Sequence, residues 1–224
     1  MKDLGLATLV RPPEIFELYE HFGSAAVAAT ALDNFAESSS AAGTNTKQAG
    51  GLYHPGVLRL TTGATSGNNK RLHLGSAAND ANFNPALFDR FRWVVRIPTI
   101  TTITIRLGLM VDVSAADGGT AGAYFDFDPA VSANWRMVTR QGASSTANNA
   151  ATVAANNWYA LEARRLASGS WEFWINEVLR FTHSATLPST SCAFGCLVQT
   201  GAAAARSVDL DLAYARATLG QVFT

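Results

Sequence analysis

Ala123-Tyr-Phe-Asp-Phe-Asp128, Asn134-Trp-Arg-Met-Val-Thr-Arg140, Asn157-Trp-Tyr-Ala-Leu-Glu-Ala-Arg-Arg165 and Ser170-Trp-Glu-Phe-Trp-Ile-Asn176 follow one another within residues 122–176. Most of these runs alternate large apolar with polar side chains and are bounded by Gly, Asn or Ser. Successive side chains of a strand point to opposite faces, so a period of two marks half-buried antiparallel strands in a sandwich.

The same period recurs on either side. In Asp89-Arg-Phe-Arg-Trp-Val-Val-Arg-Ile97, Phe91, Trp93, Val95 and Ile97 share one face, and Arg90, Arg92 and Arg96 lie on the other. In Ile103-Thr-Ile-Arg-Leu-Gly-Leu-Met-Val-Asp-Val113, the run Ile103, Ile105, Leu107, Leu109, Val111 and Val113 opposes Arg106 and Asp112. One face of each strand belongs to a core, and the other is wet or meets a partner. Val57-Leu-Arg-Leu-Thr-Thr62 and Lys70-Arg-Leu-His-Leu-Gly75, joined by a Gly- and Asn-rich loop, read as an early hairpin. Residues 177–183 read as the hairpin partner of the strand before them, and Ser207-Val-Asp-Leu-Asp-Leu-Ala-Tyr214 closes the sheet. Residues 33–56 are mostly small and polar. Roughly ten to thirteen strands with hardly any helix predict an all-β, antiparallel two-sheet sandwich over residues 35–224.

Residues 1–34 read as a separate N-terminal arm. Pro12-Pro13 precedes Glu14-Ile-Phe-Glu-Leu-Tyr-Glu-His-Phe22, which is either a short helix opened by proline or an extended segment. Ile15, Phe16, Leu18, Tyr19 and Phe22 form a dense apolar set that has to be buried on the domain or on a partner. They are the candidate partner-binding residues.

With 17 basic and 17 acidic side chains in 224 residues, no global field draws the chain toward nucleic acid or an anionic membrane. No run reaches the roughly 18 apolar residues of a membrane span. The apolar start, Met1-Lys-Asp-Leu-Gly-Leu-Ala-Thr-Leu-Val10, is too short for a secretory signal, which predicts a soluble protein made in a cytoplasm. In an extended strand Cys192 and Cys196 share a face about 13 Å apart, beyond disulfide reach, which predicts two buried free thiols.

Glycoside hydrolysis needs two facing carboxyl groups. Asp126 and Asp128 share a strand face, and Glu162 and Glu172 stand on neighbouring strands. Yet Asp-Phe-Asp-Pro reads as a strand entering a turn. Asp126, Asp128, Asp209 and Asp211 are hard oxygen donors without the dense loop spacing of a calcium site. His21, His54, His73 and His183 have no nucleophile context. No catalytic residue, metal or cofactor is therefore predicted. Tyr124 and Trp174 lie on polar strand faces, where an aromatic is either covered by a second layer or exposed to a ligand. They are the candidate ligand-binding residues. The arginine face of Arg90, Arg92, Arg96, Arg106, Arg136 and Arg140 has the chemistry to bind phosphate or an acidic partner, but aspartates on neighbouring strands favour cross-strand ion pairs.

The order Tyr124-Phe-Asp-Phe-Asp128, Asn134 to Arg140, Asn156-Asn-Trp-Tyr159, Phe173-Trp-Ile-Asn176 and Val208-Asp-Leu-Asp-Leu212 resembles concanavalin A-like (LamG/lectin-type) jelly rolls. More narrowly, it is similar to the stand-alone versions that tailed bacteriophages encode as virion structural proteins. The resemblance covers residues 50–217, roughly, and leaves the arm outside. It implies a non-enzymatic virion protein, an accessory capsid decoration or cement protein that contacts the major capsid protein and self-associates, in trimers for instance. The alternative it implies is a tail-fibre or tail-tip module that recognises a host glycan. Such proteins often carry Asn-Gly after the strand ending at Ile175. Here Asn176-Glu177 stands instead, and the cost of Glu at positive φ predicts a longer turn or one of another type.

Overall fold

The computed structural model describes residues 14–22, 35–50, 52–54, 56–74, 83–113 and 119–219. Fifteen strands run through them: β1 (Glu14–His21), β2 (Ala36–Ser39), β3 (Thr44–Gln48), β4 (Val57–Thr61), β5 (Asn69–His73), β6 (Phe88–Arg96), β7 (Ile103–Met110), β8 (Ala121–Phe127), β9 (Asn134–Gln141), β10 (Ser144–Thr152), β11 (Trp158–Arg165), β12 (Trp171–Ile175), β13 (Val178–His183), β14 (Ala193–Thr200) and β15 (Ser207–Leu219). A single 3₁₀ turn, Pro85–Leu87, is the helical element among the described residues. The strands form the two antiparallel sheets of a jelly-roll sandwich. Sheet A runs β13-β12-β11-β6-β15-β4-β3, with β1 also on β15, and sheet B runs β10-β9-β8-β7-β14-β5-β2.

The inward faces are the apolar halves of the alternating runs. Phe91, Trp93, Leu161, Trp171 and Phe173 of sheet A meet Phe125, Trp135, Met137 and Phe194 of sheet B in one continuous core. Trp93 stacks on Phe194 at 4.9 Å, and Phe125 meets Phe173 edge-on at 5.3 Å. Aromatic pairs of this kind contribute beyond the area they bury, and truncating any one to Ala costs about 3–5 kcal/mol. Gly108 makes this packing possible in β7. A Cβ there would sit 2.9 Å from the Phe91 ring and 2.6 Å from the Ala123 carbonyl oxygen.

One alternative that the sequence left open is decided, and three expectations are corrected. Residues 14–22 are extended and belong to the sandwich: β1 pairs with β15 from Glu14↔Leu219 to His21↔Leu212, continuing the edge that β4 occupies from Ser207 to Leu210. Alternation sends Leu18 and Phe22 inward, where both are buried. β4 and β5 are not a hairpin. They lie in opposite sheets, β4 against β15 and β5 against β14, because the intervening loop crosses the sandwich and ties to it through Gly67 N–H to the Thr200 carbonyl. β15 lies inside sheet A between β6 and the β4–β1 edge, where it does not close the sheet. Finally, the turn after β12 has the tight two-residue form: Ile175 pairs directly with Val178, with Asn176 at φ 50° and Glu177 at φ 66°. Asn176 fixes it by exchanging two hydrogen bonds with the Ala160 backbone, each of 2.8 Å.

Cys192 and Cys196 are free and buried. Burial pushes the Cys192 thiol up to about 12 and raises that of Cys196 as well.

Candidate functional site on the outer face of sheet A

The register of sheet A lines up its outward side chains in rows. One row reads Trp174–Glu162–Arg92–Tyr214–Tyr19 across β12, β11, β6, β15 and β1. The next reads Glu172–Arg164–Arg90–Arg216–Glu17 across the same strands. Each strand contributes a polar or aromatic residue because its inward partners hold the large apolar ones.

Between the rows lies an open cavity of about 340 Å³ lined by Tyr19, Arg90, Arg92, Glu162, Leu212 and Tyr214. Its walls are held by directed contacts. Tyr214 donates its hydroxyl proton to Glu17 at 2.7 Å and accepts from Arg90 Nε and Nη2 at 3.3 and 3.2 Å. Burial, then the bond to Glu17, raises the Tyr214 phenol above its ordinary value. The hydroxyl in turn raises Arg90, whose guanidinium lies 5.0 Å from the Tyr214 ring centre. Tyr19 meets Tyr214 edge-on at 6.2 Å and is 58% exposed, so its ring is presented to solvent.

A second cluster occupies the same face nearer β4. Asp209, fully buried, accepts from Arg59 Nε and Nη2 at 2.6 and 2.9 Å and from Arg96 Nε and Nη2 at 2.9 and 2.7 Å. Arg96 lies 5.0 Å from the Trp158 ring centre, His54 stacks on Trp158 at 4.0 Å, and His54 Nδ1 is 2.9 Å from Asp211. A β-bulge between Leu210 and Leu212 takes Asp211 out of the ladder pairing with β6.

The predicted site residues divide between core and surface. Of the apolar set on β1, Leu18 and Phe22 are in the core and Phe16 packs on Phe83 at 5.5 Å. Ile15 and Tyr19 are exposed, and Tyr19 lines the cavity. Trp174 is half-buried, with the Arg164 guanidinium 4.4 Å from its ring centre and its Nε1–H donated to Glu172 at 3.2 Å. Tyr124 is far away, on the outer face of sheet B, and only 4% exposed in a small apolar cluster with Met110, Val138 and Leu197. Tyr214 and Leu212 were not singled out, and Arg92 was read only as part of the arginine face, because only the strand pairing places them beside Tyr19.

The carboxylates are engaged with cations and donors. Glu162 accepts from Arg164 at 2.6 Å and lies 3.9 Å from Arg92. Among the described residues it is the one carboxylate lining the cavity. Asp126 is held by Arg106 and Arg136, and Asp128 accepts from Ala130 N–H at 2.9 Å as the head of a turn, as the sequence predicted. The expected cross-strand ion pairs are thus present. The cavity offers a ring platform, a hydrophobic patch, guanidinium donors and a carboxylate acceptor, in near charge balance.

The sequence profile described as SO2946-like, C-terminal domain, matches residues 53–211. The chain belongs to the SO2946-like family. The crystal structure of SO2946 from Shewanella oneidensis MR-1, a protein of unknown function, superposes on this SO2946-like chain with a TM-score of 0.69 at 12% identity, covering 95% of this chain and 91% of that one. The carbohydrate recognition domain of Emp46p in its metal-free form gives 0.59 at 9% identity over 90% and 96% of the two chains. The endo-β-1,4-glucuronan lyase of the fungus Trichoderma reesei gives 0.56 at 12% identity over 90% and 94%. At these identities the likeness establishes the concanavalin A-like fold. No curated protein matches the SO2946-like chain in sequence.

Proposed function

We propose that this SO2946-like chain is a non-catalytic carbohydrate-binding sandwich that takes a neutral glycan on the outer face of sheet A. The observation that carries the reading is the in-register row from Trp174 through Glu162, Arg92 and Tyr214 to exposed Tyr19, beside an open cavity. A polyol needs donors and acceptors in alternation and a flat apolar surface for its C–H faces, and this row supplies all three without a strong net field. The fold neighbour named as a carbohydrate recognition domain is compatible with that ligand class. In the setting that the phage resemblance implies, such a module is a tail component that binds a host surface glycan.

The capsid-decoration reading draws less support from the geometry. Leu18 and Phe22, counted on for a partner, are used in the protein's own core, which leaves Ile15 and Tyr19 as the exposed apolar residues of that set.

Calorimetric titration of the purified chain against a panel of neutral oligosaccharides tests the proposal. Binding that disappears in Tyr19→Ala, with the thermal midpoint unchanged and no release of reducing ends, supports it. Absence of binding, or a Tyr19→Ala variant that binds as well as the parent, overturns it. Reducing-end release would replace it with an enzyme.

A further inference from the structure

The opposite outer face, on sheet B, carries a second polar pocket of a different character. Its volume is about 210 Å³, and it is lined by Arg106, Tyr124, Asp126, Arg136, Val138, Arg140 and Ser145. The register builds it from two parallel rows: Arg106–Asp126–Arg136 across β7, β8 and β9, and Arg140–Ser145 across β9 and β10. Three guanidinium groups meet one carboxylate, a formal excess of two positive charges.

The carboxylate is ion-paired with two of these arginines, while its buried Oδ1 has no hydrogen-bond partner. Arg106 Nε lies 3.1 Å from Asp126 Oδ1, and Arg136 Nη1 lies 2.9 Å from Oδ2. Arg106 is only 8% exposed, and its Nη1 is buried without a hydrogen-bond partner. A buried guanidinium N–H left unpaired is costly, and such groups are normally satisfied by a protein group, a water or a ligand. Arg140, whose Nε donates to the Gly142 carbonyl at 3.3 Å, and the Ser145 hydroxyl stand at the rim. Planar guanidinium forks match the paired oxygens of carboxylate, phosphate and sulfate groups.

From these contacts we propose that the Arg106–Arg136–Arg140 pocket binds an oxyanion, with Arg136, Arg140 and Ser145 meeting it and buried Arg106 adding positive charge beneath it. The oxyanion is either a free inorganic ion or the acidic substituent of a saccharide. This site is independent of the glycan site on sheet A.

The test titrates the full chain with sodium sulfate, sodium phosphate, and a sulfated and a uronate-containing disaccharide, following the side-chain N–H resonances of arginine by NMR and the heat by calorimetry. The expected result is a saturable shift confined to Arg106, Arg136 and Arg140, with affinity reduced at least about tenfold in Arg140→Gln and unchanged in Tyr19→Ala. The variant keeps Arg106 and Arg136, which pair with Asp126. Should it fail to fold, the resonance map of the parent protein decides alone. Binding of the inorganic ions identifies a free-oxyanion site. Binding of the disaccharides alone identifies an acidic-saccharide site. No shift with any of the four, or shifts scattered over surface arginines, overturns the proposal.

Discussion

His183 joins the two sheets at a single atom. It lies at the end of β13 in sheet A, is buried, and its Nδ1 is 3.0 Å from the hydroxyl of Thr139 on β9 in sheet B, while its Nε2 is buried without a hydrogen-bond partner. Burial pushes its pKa below the ordinary 6.5. The unfolded chain then binds a proton at a pH where the folded chain does not, so stability falls as pH drops below 6.5 and levels off only below the folded value. Within that window the loss approaches about 1.4 kcal/mol per pH unit. Urea midpoints measured from pH 8 down to pH 5 are expected to fall for the parent and to fall less steeply for His183→Gln; parallel slopes would remove His183 as the cause. Glu177 is a second residue with a local cost. A side chain in the left-handed region costs about 1–2 kcal/mol, part of which glycine forfeits through its freer unfolded chain, so Glu177→Gly is expected to stabilise by about 0.5–1 kcal/mol in the same urea assay. The thiols give a third check. Protonated and enclosed, Cys192 and Cys196 are expected to resist Ellman's reagent at pH 8 until denaturant is added.

At the scale of elements, β1 decides whether the N-terminal segment is a tether or a strand. Its full pairing with β15 predicts that Leu18→Ala costs about 2–3 kcal/mol, as for a buried leucine near an edge, while Ile15→Ser changes stability by less than about 0.5 kcal/mol. Equal, small effects in denaturant titrations would show that β1 detaches freely. Strands with a strong alternating pattern, β6 and β7 above all, were legible in the sequence, and so was the outward direction of Arg90, Arg92 and Arg96. β2, β3 and β10 were not. Their sequences, Ala-Glu-Ser-Ser, Thr-Asn-Thr-Lys-Gln and Ser-Ser-Thr-Ala-Asn-Asn-Ala-Ala-Thr, hold no apolar alternation, because all three are edge strands that bury little. Polar edges also discourage pairing with another chain, so the same property that hides them from a hydrophobic reading protects the fold. The cavity on sheet A was hidden for another reason. Tyr19 and Tyr214 are neighbours only through a pairing that spans nearly the whole chain, and periodicity within one strand carries no information about which strand lies beside it.

At the scale of the whole molecule, the two sheets present unlike surfaces to solvent from one shared core. Sheet A offers guanidinium and carboxylate groups in near balance around Tyr19 and Tyr214, whereas the pocket on sheet B sets three arginines against Asp126. Face-to-face sheets lie about 10 Å apart, and perturbations separated by more than about 7–10 Å combine additively unless a bistable element links them. The core between the sheets is packed with large aromatic side chains that leave little room for a second arrangement. The two sites are therefore expected to act independently and to respond differently to salt. Raising sodium chloride from about 0.1 M to about 1 M shortens the screening length from about 10 Å to about 3 Å. Affinity for a neutral oligosaccharide on sheet A should stay within about twofold over that range, because no net charge is neutralised. Affinity for the oxyanion on sheet B should fall by about tenfold or more, through screening and competition by chloride. Tyr19→Ala should abolish the first and spare the second, and Arg140→Gln the reverse. If saturating one site changes the other's affinity by more than the additive limit, the sandwich is a coupled unit, and its core must then have two packings that the ligands select between.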